Sequence, residues 1–154
     1  MRATLHLKPN PQAGAPAPLV LDGDGLTLIS LKLDCEPLAA EHYQATPDRL
    51  TIAQPPQRPY QLDIETMVDP SANTRLMGLY RSGETYCTQC EAEGFRRITY
   101  FIDRPDVMAK YTVTIHADRE RYPVLLSNGN LVGSGAEAGA RHWAKWQDPF
   151  RKPC

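Results

Sequence analysis

Apolar and polar residues alternate along most of this chain with a period of two, the spacing of a strand that buries one face. Residues 2–8 place Leu5 and Leu7 on one side. The stretch from Pro9 to Pro18, rich in Pro, Ala and Gly, predicts a loop. Leu19-Val20-Leu21 is a short strand stopped by the turn sequence Asp22-Gly23-Asp24-Gly25. In Leu26–Leu33 the apolar positions Leu26 and Leu28 are followed by Ile29, Leu31 and Leu33. That single change of parity predicts a β-bulge at Ile29. His42-Tyr43-Gln44 and Leu50-Thr51-Ile52 predict a hairpin around Thr46-Pro47-Asp48. Pro55, Pro56 and Pro59 exclude regular structure before Tyr60. Beyond them Tyr60, Leu62, Ile64, Thr66 and Val68 share one face of a strand that Asp69-Pro70 closes.

Gly78-Leu79-Tyr80 and Thr85-Tyr86-Cys87 flank Ser82-Gly83 and predict a tight hairpin. Glu91 to Arg97 predicts one or two helical turns, weakened by Gly94. Arg104-Pro105-Asp106 predicts a turn, with Pro105 opening a short helix through Met108. Tyr111, Val113 and Ile115 alternate as a strand, and Val124-Leu125-Leu126 reads as another. Ser127-Asn128-Gly129-Asn130 is the strongest hairpin signal in the chain. His142 to Gln147 predicts the last strand, ended by Asp148-Pro149. Many short strands, frequent turn signals and no long amphipathic helix point to an all-β fold. The expectation is one antiparallel β-sandwich domain over residues 1–154 with one or two short helical turns.

Composition agrees with that picture and removes some functions. Fourteen prolines and ten glycines suit a turn-rich β chain. A net charge of −1 without any block of like charge leaves no basic stripe for nucleic acid. No apolar run reaches the roughly 20 residues needed to cross a bilayer, so no membrane partner is expected. The first residues alternate without an apolar signal core. Four cysteines, Cys35, Cys87, Cys90 and Cys154, are too few and too irregular for a disulfide framework. Together these features predict a cytoplasmic chain with reduced thiols. Lys152-Pro153-Cys154 ends without a polar tail or a cap, which reads as a fragment of a larger chain.

Candidate chemistry concentrates in Cys87-Thr88-Gln89-Cys90-Glu91-Ala92-Glu93-Gly94. A zinc site needs four ligands, yet Cys35 and Cys154 are solitary and His6, His42, His116 and His142 stand at no ligand spacing from the pair. A thioredoxin-like role needs a βαβ context, which is missing. Cys87 and Cys90 therefore read as half-buried packing thiols on a strand and its exit. No H-E-x-x-H helix, G-x-S-x-G elbow or phosphate-binding glycine loop occurs. Trp143 and Trp146, three apart on a strand, face opposite sides and read as core-packing or domain-interface residues rather than one stacking platform. Asp103-Arg104-Pro105-Asp106 reads as a salt-bridged turn. Gln89 and Glu91 are two apart, so an extended segment points both to one side. An amide beside a carboxylate suits a cationic, hydrogen-bonding group such as a free amine; a solvated loop is the alternative that composition leaves open.

Two stretches bear on this choice. Thr88-Gln89-Cys90-Glu91-Ala92-Glu93-Gly94-Phe95-Arg96-Arg97, followed by Tyr100-Phe101-Ile102-Asp103-Arg104-Pro105-Asp106-Val107, closely resembles the bacterial aminopeptidase N (alanyl aminopeptidase) family. Tyr122–Asn130 and Arg141–Phe150 resemble it too, whereas the first half does so only in its strand pattern. The resemblance implies the saddle-like N-terminal β-sandwich domain of a much longer zinc-dependent exopeptidase acting on peptides with free N-termini. It also implies that the zinc ligands and the G-x-M-E-N motif lie in a following thermolysin-like catalytic domain, absent here. This stretch alone would then bind no metal and carry no catalytic residue. Carried over by residue, Glu91 binds the substrate's α-ammonium group and Gln89 lines the first specificity pocket. Arg97 and Asp103 become candidates for holding their loop. The competing expectation is a free-standing β-sandwich ligand-binding or interaction module.

Overall fold

Strands joined by turns account for the regular structure of the computed structural model, which describes residues 1–12 and 15–154. Among the described residues helix is confined to two single 3₁₀ turns, Ala40–His42 and Phe95–Arg97. Every strand pair is antiparallel, as the alternation predicts. The chain divides into two compact units, residues 1–105 with Cys154, and residues 106–153.

The first unit contains β1 (Arg2–Leu7), β2 (Leu19–Asp22), β3 (Thr27–Leu33), β4 (Glu36–Pro37), β5 (Tyr43–Thr46), β6 (Arg49–Ile52), β7 (Tyr60–Met67), β8 (Gly78–Ser82) and β9 (Thr85–Gln89). They form sheets in the orders β1-β7-β3-β4, β2-β6-β5 and β8-β9. The expected loop from Pro9 to Pro18 lies partly outside the described residues, and its described part holds no strand. On β7 the buried positions are Tyr60, Leu62, Ile64 and Thr66, the alternation read from sequence. Leu62 and Ile64 meet Leu31 from their own sheet and Leu21, Leu50 and Ile52 from the β2-β6-β5 sheet, with Leu26 and Tyr100 completing the core. The β3–β7 register shifts between Leu28 and Ser30, so the predicted bulge exists. It leaves Ile29 half exposed while returning Leu31 to the core.

The segment after β9 is fastened to this core by its own polar groups. The Tyr100 hydroxyl donates to the Thr46 carbonyl at 2.6 Å, and the ring lies over Gly23, where a Cβ would stand 2.7 Å from it. The buried Thr66 hydroxyl donates to the Ile98 carbonyl at 3.0 Å. Phe101 and Asp22 exchange both backbone hydrogen bonds, joining the segment to the end of β2. These bonds satisfy backbone groups that burial would otherwise leave unpaired.

The second unit is the sheet β10 (Ala109–Asp118), β12 (Arg141–Lys152) and β11 (Asn130–Glu137), in that order. Several sequence expectations change here. Pro105 opens no helix; residues 105 and 106 form a turn. Val124-Leu125-Leu126 is not a strand, and a side chain rather than a ladder takes its central carbonyl. The Trp146 indole N–H donates to the Leu125 carbonyl at 3.2 Å, and His142 Nε2 donates to the neighbouring Tyr122 carbonyl at 2.8 Å. Asn128-Gly129 makes no hairpin. Gly129 instead holds φ +91° in a close approach to β12, where a Cβ would fall 2.3 Å from the Gln147 carbonyl oxygen. The hairpin of this unit turns at 138–140, between β11 and β12. β12 also runs past Pro149. The β10 register shifts between Ala109 and Tyr111, so the proline sits in an irregular stretch where no ladder donor is required.

Candidate functional site

The β8–β9 hairpin ends at the pair Gly78–Gln89, and the chain then turns through residues 90–94 into the 3₁₀ turn Phe95–Arg97. Gly94 makes that turn close. Its N–H donates to the Cys90 carbonyl at 2.8 Å, and a Cβ there would lie 2.7 Å from the Gln89 carbonyl oxygen and 3.0 Å from both Cys90 Cα and the Met77 methyl. A glycine read from sequence only as a helix weakener is thus required by packing. Gly78 has a similar need: its φ is +72° and an added Cβ would meet Arg97 Cβ at 2.5 Å. Asn73 ties down the approach to β8, its side-chain N–H₂ donating to the carbonyls of Met77 and Leu79 at 2.8 and 2.9 Å.

Gln89 and Glu91 do come together, but not as two residues on one face of one strand. Gln89 closes β9, whereas Glu91 lies beyond it in the turn. The Gln89 side-chain amide donates to the Glu91 backbone carbonyl at 2.9 Å. Part of the amide is therefore spent on holding its neighbour, and its carbonyl oxygen is the acceptor left over. Both side chains are exposed. Among the described residues, the Glu91 carboxylate accepts no hydrogen bond and pairs with no cation. Glu93, two residues on, holds φ +65°, and the Glu91–Ala92 peptide is cis.

Asp103 does reach this region, where its partner is Arg96. It is 2% exposed, and its Oδ2 accepts hydrogen bonds from the Arg96 backbone N–H at 3.0 Å and from Arg96 Nε at 2.9 Å. Arg96 Nη2 donates to the Asp103 carbonyl at 2.8 Å and stands 3.5 Å from Glu93 Oε2. The Cys154 thiol donates to Asp103 Oδ1 at 3.0 Å. Arg97 points elsewhere, its Nη1 donating to Asp24 Oδ2 at 2.5 Å, with Arg75 Nη1 3.7 Å from the same oxygen. From the turn at 103–106, Asp103 is thus bridged back to Arg96. Two adjacent arginines cannot be told apart by spacing alone.

Cys87 and Cys90 are both half-buried free thiols, one on β9 and one at its exit. Burial, and then the nearby Asp103, push the Cys90 thiol up to about 11. It stays protonated at neutral pH, whereas a redox nucleophile has to be a thiolate. Among the described residues no three His, Cys, Asp or Glu side chains converge as a metal site. The donors present do not fit zinc. The tryptophans likewise separate. The Trp143 indole covers β11 glycines, 2.8 Å from where a Gly135 Cβ would lie, while Trp146 reaches the Leu125 carbonyl.

Residues 15–154 match the model of the peptidase M1 N-terminal domain. The chain is 53% identical over 152 residues to aminopeptidase N of Caulobacter vibrioides and 51% identical over 138 residues to aminopeptidase N of Escherichia coli. It covers 99% and 90% of itself in those alignments but spans only 17% and 16% of the relatives' length. Among solved structures, Legionella pneumophila aminopeptidase A in complex with aspartic acid superposes with a TM-score of 0.93 at 38% identity, over 99% of this chain and 18% of that one. A Deinococcus radiodurans M1 zinc metallopeptidase mutant bound to a Tyr-Ser-Ala substrate gives 0.73 at 15% identity, over 99% and 35%, a likeness of fold alone. The β-sheet framework, and the matched stretch that includes Gln89, Glu91, Arg96 and Asp103, thus make this chain a member of the peptidase M1 N-terminal domain family.

Proposed function

We propose that residues 1–154 serve a zinc-dependent aminopeptidase as its non-catalytic N-terminal domain, and that Glu91 anchors the α-ammonium group of the peptide substrate. One observation carries this reading. A carboxylate on a tightly held turn is left without any partner among the described residues. A free N-terminus has a pKa near 7.7–8.0 and is largely cationic at neutral pH. A fixed carboxylate makes a charge-assisted hydrogen bond to it, worth about 1.5–3 kcal/mol. A blocked or internal peptide offers no such cation, so the same contact favours cleavage of single residues from the end. Gln89, already bonded to the Glu91 carbonyl, offers its remaining carbonyl oxygen to the first residue of the peptide.

The relatives support the assignment to a longer enzyme. They are named aminopeptidase N, and the Deinococcus protein is a zinc metallopeptidase bound to a tripeptide. The metal and its chemistry are assigned to a catalytic domain of the same parent chain, since the donors of this stretch do not fit it. In the full-length protein, Glu91→Gln keeps the shape of the side chain and removes its charge. The efficiency on an alanyl p-nitroanilide is expected to fall about 10-fold or more, equivalent to about 1.4 kcal/mol of lost binding in the transition state. Unchanged kinetics in this variant would remove the anchoring role.

A further inference from the structure

We propose that Arg96 and Asp103 are the positioning pair of the Glu91 anchor, fixing the turn that presents its carboxylate without touching substrate. The inference rests on the anchoring reading above and adds the residues that set its geometry. Arg96 gives Asp103 three hydrogen bonds, from its backbone N–H, Nε and Nη2. Two come from a rigid planar fork and one from the main chain, so the position and the direction of Arg96 are both set. The remaining carboxylate oxygen of Asp103 is taken by the Cys154 thiol.

Between β9 and this clamp the chain has only residues 90–95. One end is held by the ladder pair Gly78–Gln89 and by Gly94 closing on Cys90. The other end is Arg96. Glu93 holds φ +65°, a conformation that a side-chain-bearing residue keeps only where its surroundings over-determine it. Arg96 supplies part of that constraint through Nη2, 3.5 Å from Glu93 Oε2. A buried ion pair is a weak source of net stability compared with packed apolar residues of the same volume. What this one supplies is direction, and the group left unpaired between its fixed ends is Glu91.

The test uses the full-length protein with alanyl p-nitroanilide, comparing Arg96→Lys and Asp103→Asn alone and combined with Glu91→Gln, with thermal unfolding in parallel. Arg96→Lys keeps the positive charge and loses the fork. Each single variant is expected to raise KM about five-fold or more. In the Glu91→Gln background the same substitution is expected to raise it less than about two-fold, because residues that act through one another are not additive. An equal rise in both backgrounds means general support of the fold and overturns the proposal. Unchanged KM in both clamp variants, with Glu91→Gln still impaired, overturns the clamp and leaves the anchor standing. Unchanged KM in all three overturns both. Should Asp103→Asn not fold, Arg96→Lys decides by the same criterion.

Discussion

In residues 1–105 the alternation of each strand is converted into burial, whereas in residues 106–153 a similar alternation leaves most side chains half or fully exposed. Leu62 and Ile64 on β7 are completely buried, with Leu21 and Leu50 from the facing sheet. On β10, the equally regular Tyr111, Val113 and Ile115 stay accessible, and among the described residues only Ala144 and Asp148 are buried in the second unit. Val124, Leu126, Leu131, Val132 and Phe150 are each more than half exposed. Strand pairing is therefore separable from core formation. A fully buried Leu or Ile contributes roughly 1.5–3 kcal/mol; the first unit collects this many times and the second scarcely at all. The second unit is held by its ladders, and by a tryptophan laid over glycines.

That contrast can be broken by mutation. The largest effect is expected from Leu62→Ala, where a cavity opens between two sheets, at a cost of about 2–5 kcal/mol in urea unfolding. Leu131→Ala, at a half-exposed site, is expected to cost less than about 0.5 kcal/mol. Similar costs at the two sites would erase the distinction between the units. Next comes Gly135→Ala, which sets a methyl 2.8 Å from the Trp143 indole nitrogen. A shift of the ring and a loss of about 1–3 kcal/mol are expected, seen as a change in indole emission together with a lower unfolding midpoint.

The smallest effect is electrostatic. In the first unit Asp34, Asp63 and Glu65 lie below their ordinary values. The causes are the Gln61 backbone N–H and Arg58, the Thr4 hydroxyl and Gln61, and Arg2 with Ser30, respectively. In the second unit Asp148 is held low, chiefly by Lys152. A depressed folded-state pKa stabilises above the unfolded value and ceases to do so as pH falls through the folded one. Thermal midpoints are therefore expected to stay level from neutral pH to about 5 and to decline below about 4. A midpoint that rises on acidification would contradict these contacts.

Sequence pattern was most informative where hydrophobic burial decided the structure. The bulge at Ile29 was visible because Leu26 and Leu28 on one parity and Leu31 on the other all pack into one core, which a single extra residue reconciles. The β5–β6 hairpin around Thr46-Pro47-Asp48 and the buried face of β7 were legible for the same reason. Where side chains took over the work of the ladder, pattern misled. Val124-Leu125-Leu126 has the composition of a strand, yet indole and imidazole donors satisfy the carbonyls at Leu125 and Tyr122. β11 was missed because Gly133 and Gly135 speak against a strand, and only the Trp143 ring opposite explains them. At the candidate site the proximity of Gln89 and Glu91 was legible, but the bond between them was not. Nor was the choice of Arg96 over Arg97, which a tight turn determines and spacing does not.

The pairing of Trp143 with the β11 glycines has a practical side. Both tryptophans of the chain belong to β12, so the first unit contains no indole at all. Selective excitation of indole is then a spectroscopic channel that sees residues 106–153 alone, while far-ultraviolet dichroism sums the strands of both units. If the two transitions coincide, the units melt as one cooperative body; if fluorescence moves first, the less buried unit is the earlier to open. The protein carries the probe that asks this question in its own sequence, without a label.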